Sequence, residues 1–169
     1  VKAAMNFETM ESSFKILLKD GGKAKDMMAY IQRYAIETSF AMMDTASATK
    51  RLLSSGMEIP RIKETIAFLG DIVAGTSIGA GGAGKATLEG LSAVLAKVRN
   101  QGRMTGREFN QLGAMGVSIT DILIKGLFGK GMREGSKAYE AARIKLRQLT
   151  SQGKISSKIF EQALKVMTV

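Results

Sequence analysis

The sequence predicts an all-α fold, a compact multi-helix bundle with glycine-rich connectors. Three observations carry this. Apolar residues recur every three to four positions along almost the whole chain. Strict apolar/polar alternation nowhere persists long enough for a strand. Glycines fall where the apolar stripes stop, as helix ends require.

Taken in order, Phe7, Met10, Phe14, Leu17 and Leu18 form the first stripe, and Met27, Tyr30, Ile31 and Tyr34 the second. Ala41, Thr45, Ala48 and Leu52 mark a third helix, and Ile62, Ile66, Leu69 and Val73 a fourth. Pro60 suits the fourth helix's first turn, where a missing N–H costs nothing. Leu88, Leu91, Val94, Leu95 and Val98 define a fifth, and Tyr139, Ala142, Leu146 and Leu149 a long later one. The expected breaks are Gly21-Gly22, Gly56, the cluster at 75–84, Gly102, Gly116, Gly129 to Gly131, and Gly153.

With 169 residues and 45% hydrophobic content the chain can bury a core and is expected to form a single helical domain over 1–169. It opens on Val1 with no charged and apolar leader, which reads as a fragment of a longer protein. No apolar run reaches the roughly 18 residues of a membrane span. Cysteine and histidine are both absent, which removes disulfides, thiolate nucleophiles, imidazole bases and the usual zinc ligands. The net charge of +10 is uneven: residues 1–84 net +1 and residues 85–169 net +9, so the second half suits an anionic partner.

The stretch "GTSIGAGGAGKAT" at 75–87 tests for nucleotide chemistry. Gly79, Gly84 and Lys85 match the glycine and lysine positions of a phosphate-binding loop, whose amides and ammonium grip phosphate. Ala86, however, stands where that motif needs a hydroxyl for magnesium, and Thr87 comes one step late. The preceding "IKETIAFLGDIVAG" is striped as a helix, whereas such a loop follows a buried strand. The glycines therefore read as a connector, with Lys85 near a helix start; a nucleotide binder at Gly79–Lys85 is the weakest alternative.

Glu64 and Asp71 lie two helical turns apart and could share a face as a hydrolytic pair, but nothing isolates them in an apolar pocket, so they read as a solvated face. The second half carries Arg99, Arg103, Arg107, Lys125, Lys130, Arg133, Lys137, Arg143, Lys145 and Arg147 with few aromatics among them. A basic nucleic-acid-binding module is the alternative reading; a solvated cationic face is the plainer one. Met27-Met28 and Met42-Met43 suit core gaps or an adaptable partner surface. No catalytic, cofactor-binding or metal-binding residue is assigned.

One internal echo stands out: "QGRMTGREFNQL" at 101–112 and "QGKISSKIFEQA" at 152–163. Both read as helix starts, with Thr105 or Ser156 as cap and Met104–Phe109 or Ile155–Phe160 as hydrophobic staples; Glu108 completes a capping box in the first copy only.

The order of segments resembles the N-terminal region of phage and prophage tail tape measure proteins, from about Phe14 to Leu164. The resemblance rests on "AKDMMAYIQRYAIETSF", "ATKRLLSSG" and "LGDIVAGT", then "LSAVLAKVRNQGRMTGREFNQLGAMGVSITDIL" and "QGKISSKIFEQAL". Ser39 stands where that family usually has proline, and a serine there is expected to cap a helix at Phe40. What the resemblance implies is a structural protein, not an enzyme, without cofactor. Several copies of the parent protein would template tail-tube polymerisation and leave with the genome. Its partners would be other copies of itself, tail-tube proteins and tail assembly chaperones, with DNA a further candidate through the basic half and no membrane contact supported. Its place would be the tail-tube interior, after assembly in the host cytoplasm. The fragment itself would be a globular head on a helical rod.

Overall fold

Each helix boundary depends on what satisfies the free N–H and C=O groups at its ends. The structure, a computed structural model, describes residues 2–79 and 86–166, with side chains for 6–75 and 86–166. Among the described residues nine helices form: α1 (Lys2–Leu18), α2 (Gly21–Glu37), α3 (Met42–Ser54), α4 (Ile59–Gly79), α5 (Leu88–Gln101), α6 (Gly106–Ala114), α7 (Ile119–Phe128), α8 (Lys137–Ser151) and α9 (Ser157–Val166). No strand occurs among them, so the all-α expectation holds.

Helices α2, α5 and α8, like α6 and α9, start on a side chain that accepts from the first turn. Asp20 accepts from the Lys23 N–H at 3.0 Å, Thr87 from Gly90 at 3.0 Å and Ser136 from Tyr139 at 3.1 Å. Asp20 also corrects one expected break: Gly21 and Gly22 open α2 rather than interrupt the chain, and the stop falls at Lys19, whose φ is +52°. Ser39 does not cap a helix at Phe40. It lies exposed, α3 begins at Met42, and Ala41 precedes it without a side-chain cap. Thr38 holds that turn instead, donating to Tyr34 O at 2.6 Å and accepting from the Phe40 N–H at 3.3 Å. Pro60 sits in the first turn of α4 as expected.

Backbone contacts divide the chain into two units, Val1–Ile66 and Ala67–Val169. In the first, α1, α2 and α3 each pack on the other two. Met10, Phe14, Ala24, Met27, Met28, Ile31 and Ala46 form the core, so Met27-Met28 is interior packing, while Met43 is exposed. Leu17 is exposed too; the buried stripe of α1 runs Phe7, Met10, Phe14, Leu18. Thr45 and Thr49 are buried on α3 because their hydroxyls donate back along the helix, to Ala41 O at 3.1 Å and Thr45 O at 2.7 Å. Tyr30 and Tyr34 reach from α2 to the carbonyls of Lys63 and Ile66, at 3.1 and 3.3 Å. The Lys63 ammonium lies 5.3 Å from the Tyr30 ring centre.

In the second unit, α7 packs chiefly on α9 and α8, and α5 on α9 and α6. Leu95, Val98, Leu123, Ile124, Leu146, Phe160 and Leu164 are among its buried side chains. The contact between α7 and α9 is close enough to exclude a side chain: a Cβ at Gly126 would lie 2.6 Å from both Cα and Cβ of Ala163.

Gly126→Ala is therefore expected to destabilise the protein by about 1–3 kcal/mol through overpacking. Gly113→Ala, in open space inside α6, should instead stabilise by up to about 1 kcal/mol from helix propensity alone. Urea midpoints of the two variants, moving in opposite directions from wild type, would check both.

Candidate functional site

The two echoed segments lie side by side. Arg103 and Ser156 form an antiparallel bridge, with Met104 N–H donating to Ile155 O at 2.8 Å and Ser157 N–H to Gly102 O at 3.0 Å. Gly102 and Gly153 supply the turn that leads into each segment, with φ of +76° and +65°. Extended backbone alternates its side chains, so Met104 and Ile155 turn inward, at 0% and 1% exposure, while Arg103, Thr105, Lys154 and Ser156 take the opposite face. Arg103 runs across Gly153, where an added Cβ would meet its Cδ and Nη1 at 3.1 Å.

Both helix starts are capped as expected. Thr105 accepts from the Arg107 N–H at 3.3 Å, and Ser156 from the Ile159 N–H at 3.2 Å. The capping box is complete: Glu108 Oε2 receives the Thr105 N–H at 2.9 Å and the Thr105 hydroxyl at 2.5 Å. A capping glutamate ordinarily lies at the surface, yet this one is 0% exposed. Its other oxygen, Oε1, meets Lys97 Nζ of α5 at 2.8 Å. In the second copy Glu161, 3% exposed, meets Arg99 Nη1 of the same helix at 2.5 Å. Burial alone would push the Glu108 carboxyl up, but hydrogen bonds from Lys97 and from the Thr105 side chain and backbone hold it down at about 2.

The ten basic residues singled out in the sequence thus divide. Arg99 is drawn inside by Glu161, and Lys125 pairs with Asp121 at 2.7 Å on α7. Arg103, Arg107, Arg133, Lys137, Arg143, Lys145 and Arg147 are exposed, and so is Lys130, which has a partner of its own. Sequence reasoning missed Lys97, Lys154 and Lys158; the echo was the available signal, since it aligns Arg103 with Lys154 and Arg107 with Lys158. Glu64 and Asp71 are each exposed on α4. Of the phosphate-loop candidate, Gly79 ends α4 and residues 80–85 lie outside the described residues. Gly75 is inside α4 rather than in a connector.

Among the described residues no group of three or more carboxylates is placed to hold a metal ion, and no helix is long and apolar enough to cross a membrane. An open pocket on this unit is lined by Phe109, Tyr139 and Leu146 together with Glu134, Glu140, Arg143 and Arg147, so acids face bases across it; Arg143 lies 3.7 Å from Glu140.

A family model described as tape measure protein matches residues 1–169. Among curated proteins, the Mu-like prophage FluMu protein gp42 of Haemophilus influenzae is 26% identical over 167 residues, covering 99% of this chain and 24% of that protein. The chain thus spans about a quarter of that relative's length. No solved structure matches.

Lys97→Met would leave the buried Glu108 carboxylate without its ammonium, and is expected to cost about 2 kcal/mol at neutral pH. Because Glu108 is held below its ordinary value of 4.5, its contribution is present above that pH and lost as pH falls toward about 2. The gap between variant and wild type should therefore close across that window in urea titrations, and a gap that stays constant would contradict the assignment.

Proposed function

The chain belongs to the tape measure protein family, and on that premise we propose that it is a helical head domain which helps template the length and assembly of a phage tail tube through protein contacts. The family match over the whole chain carries this reading; the all-helical fold agrees with it. The family role is structural, in phage tails. The proposal adds that the two units act together as one domain, and that further copies of the chain, tail-tube subunits and assembly chaperones are its partners. It places the protein in the host cytoplasm during assembly and inside the tube afterwards, acting without catalysis or cofactor.

A helix rises about 1.5 Å per residue, so a helical rod converts residue number directly into length. A head with this many turns is not the ruler. Its contribution is to dock and pack. A second reading is favoured by the charge distribution: the strongly basic second half contacts DNA.

Lengthening or shortening the rod region of the parent gene, with this head unchanged, is expected to alter tails by about 1.5 Å per residue in electron micrographs. Tails of constant length would refute templating. Replacing the head's core, as with Phe14→Asp, should abolish tails of every rod length.

A further inference from the structure

The echoed segments, 101–112 and 152–163, carry one acid each, and both are inside. Glu108 and Glu161 are neutralised from behind by Lys97 and Arg99. What remains outside is uniformly positive: Arg103, Arg107, Lys154 and Lys158 are all exposed. Among the described residues none of these four side chains is paired with a carboxylate. The antiparallel main-chain bridge sets Arg103 and Lys154 on one face of the paired segments, and α6 and α9, which carry Arg107 and Lys158, start from its two ends.

The arrangement runs against helix electrostatics. Positive charge belongs near helix C-termini, where it meets the negative end of the backbone dipole. Here Arg107 and Lys158 occupy the second position of α6 and α9, and Arg103 and Lys154 stand just ahead of those helices. The first turn of α9 has no acidic residue, and the one in α6 is turned inward onto Lys97. Four exposed cations thus stand at or just ahead of two positive helix ends, without a carboxylate partner.

We propose that this bridged edge, Arg103, Arg107, Lys154 and Lys158, binds the phosphate backbone of double-stranded nucleic acid without reading its sequence. This deepens the DNA reading above and rests on it. The surface lacks what the other anionic partners need. A protein interface is built around a buried apolar or aromatic anchor, and the exposed large hydrophobics of the described chain, Ile16, Leu17, Ile36, Met43 and Ile144, all lie outside these segments. Single strands are held by stacking on aromatic rings, and the one aromatic flanking each cation set, Phe109 or Phe160, is half-buried or buried. Phosphate oxygens need only charge and N–H donors, which this edge supplies.

The test is anisotropy of a labelled duplex of arbitrary sequence with the 169-residue chain across a salt series. Binding should weaken linearly in log–log form, with a slope of about −0.9 per neutralised phosphate. Changing Arg103, Arg107, Lys154 and Lys158 together to Gln should lower affinity at least about tenfold and flatten that slope by about 0.9 for each phosphate no longer neutralised. Changing Lys137, Arg143, Lys145 and Arg147 to Gln removes the same charge from α8 and should leave affinity within about threefold. The first variant should also melt at or above the wild-type temperature, since positive charge is removed from two positive helix ends. An equal loss in both variants would overturn the site while leaving DNA binding intact. Absence of duplex binding by wild type at low salt would overturn both readings. Equal competition by polyglutamate at matched charge would assign the edge to an acidic protein and sink the proposal.

Discussion

The second unit depends on how two carboxylates are taken out of water. A buried carboxylate without a partner is costly, and an isolated one would protonate. Here α5 supplies both counter-charges from positions two residues apart, Lys97 and Arg99. On a helix that spacing places side chains roughly 200° apart, on opposite sides. One therefore reaches α6 and the other α9, the two helices on which α5 packs. Turning α5 about its axis by one residue would break both pairs together. Buried ion pairs add little net stability compared with apolar side chains; what this arrangement supplies is a single rotation of α5 and a fixed separation of the two helix starts.

The first unit solves the same problem without charge. Its buried polar groups are threonine hydroxyls, Thr45 and Thr49 bonded back along α3 and Thr65 donating to Met57 Sδ, and its long-range polar contacts include tyrosine hydroxyls on backbone carbonyls. Tyr30 shows the environment: burial pushes its phenol up to about 12, so it stays neutral and can only donate or accept a hydrogen bond. Methionine fills the remaining space at Met10, Met27 and Met28, where an unbranched chain adapts to the gaps between three mutually packed helices.

Local features were legible in the sequence and remote ones were not. The stripes located α1 to α5 and α8 because a 3.6-residue period is imposed by the helix itself, Thr105, Ser156 and Pro60 announced helix starts because capping acts within a few residues, and α7 carried neither signal. Ser39 misled because a capping residue works only if the chain turns there, and Thr38 already held that turn through Tyr34. Gly21 and Gly22 misled for the opposite reason: Asp20 caps the helix strongly enough to carry two poor helix formers. The pairs Lys97–Glu108 and Arg99–Glu161 join residues brought together by folding, and the latter partners are 62 positions apart. The echo was visible, but that its copies would bond to one another could not be read from either copy alone.

The same pairs commit the two buried carboxylates of the second unit to structural partners. Groups with perturbed ionisation mark active sites when they stand open to a cleft. Of the shifted groups in this chain, Glu108 is held by Lys97 and Thr105, Tyr30 by the Lys63 carbonyl and Lys125 by Asp121, while burial raises the Tyr139 phenol, which lines an open pocket with Glu134 and Arg143. Withdrawing acids into the interior has a second effect on the exterior, because each buried carboxylate leaves the positive charges of its own segment unbalanced outside. Interior specificity and exterior charge are thus two consequences of one arrangement. Each echoed segment contributes an exposed pair to that exterior, Arg103 with Arg107 and Lys154 with Lys158.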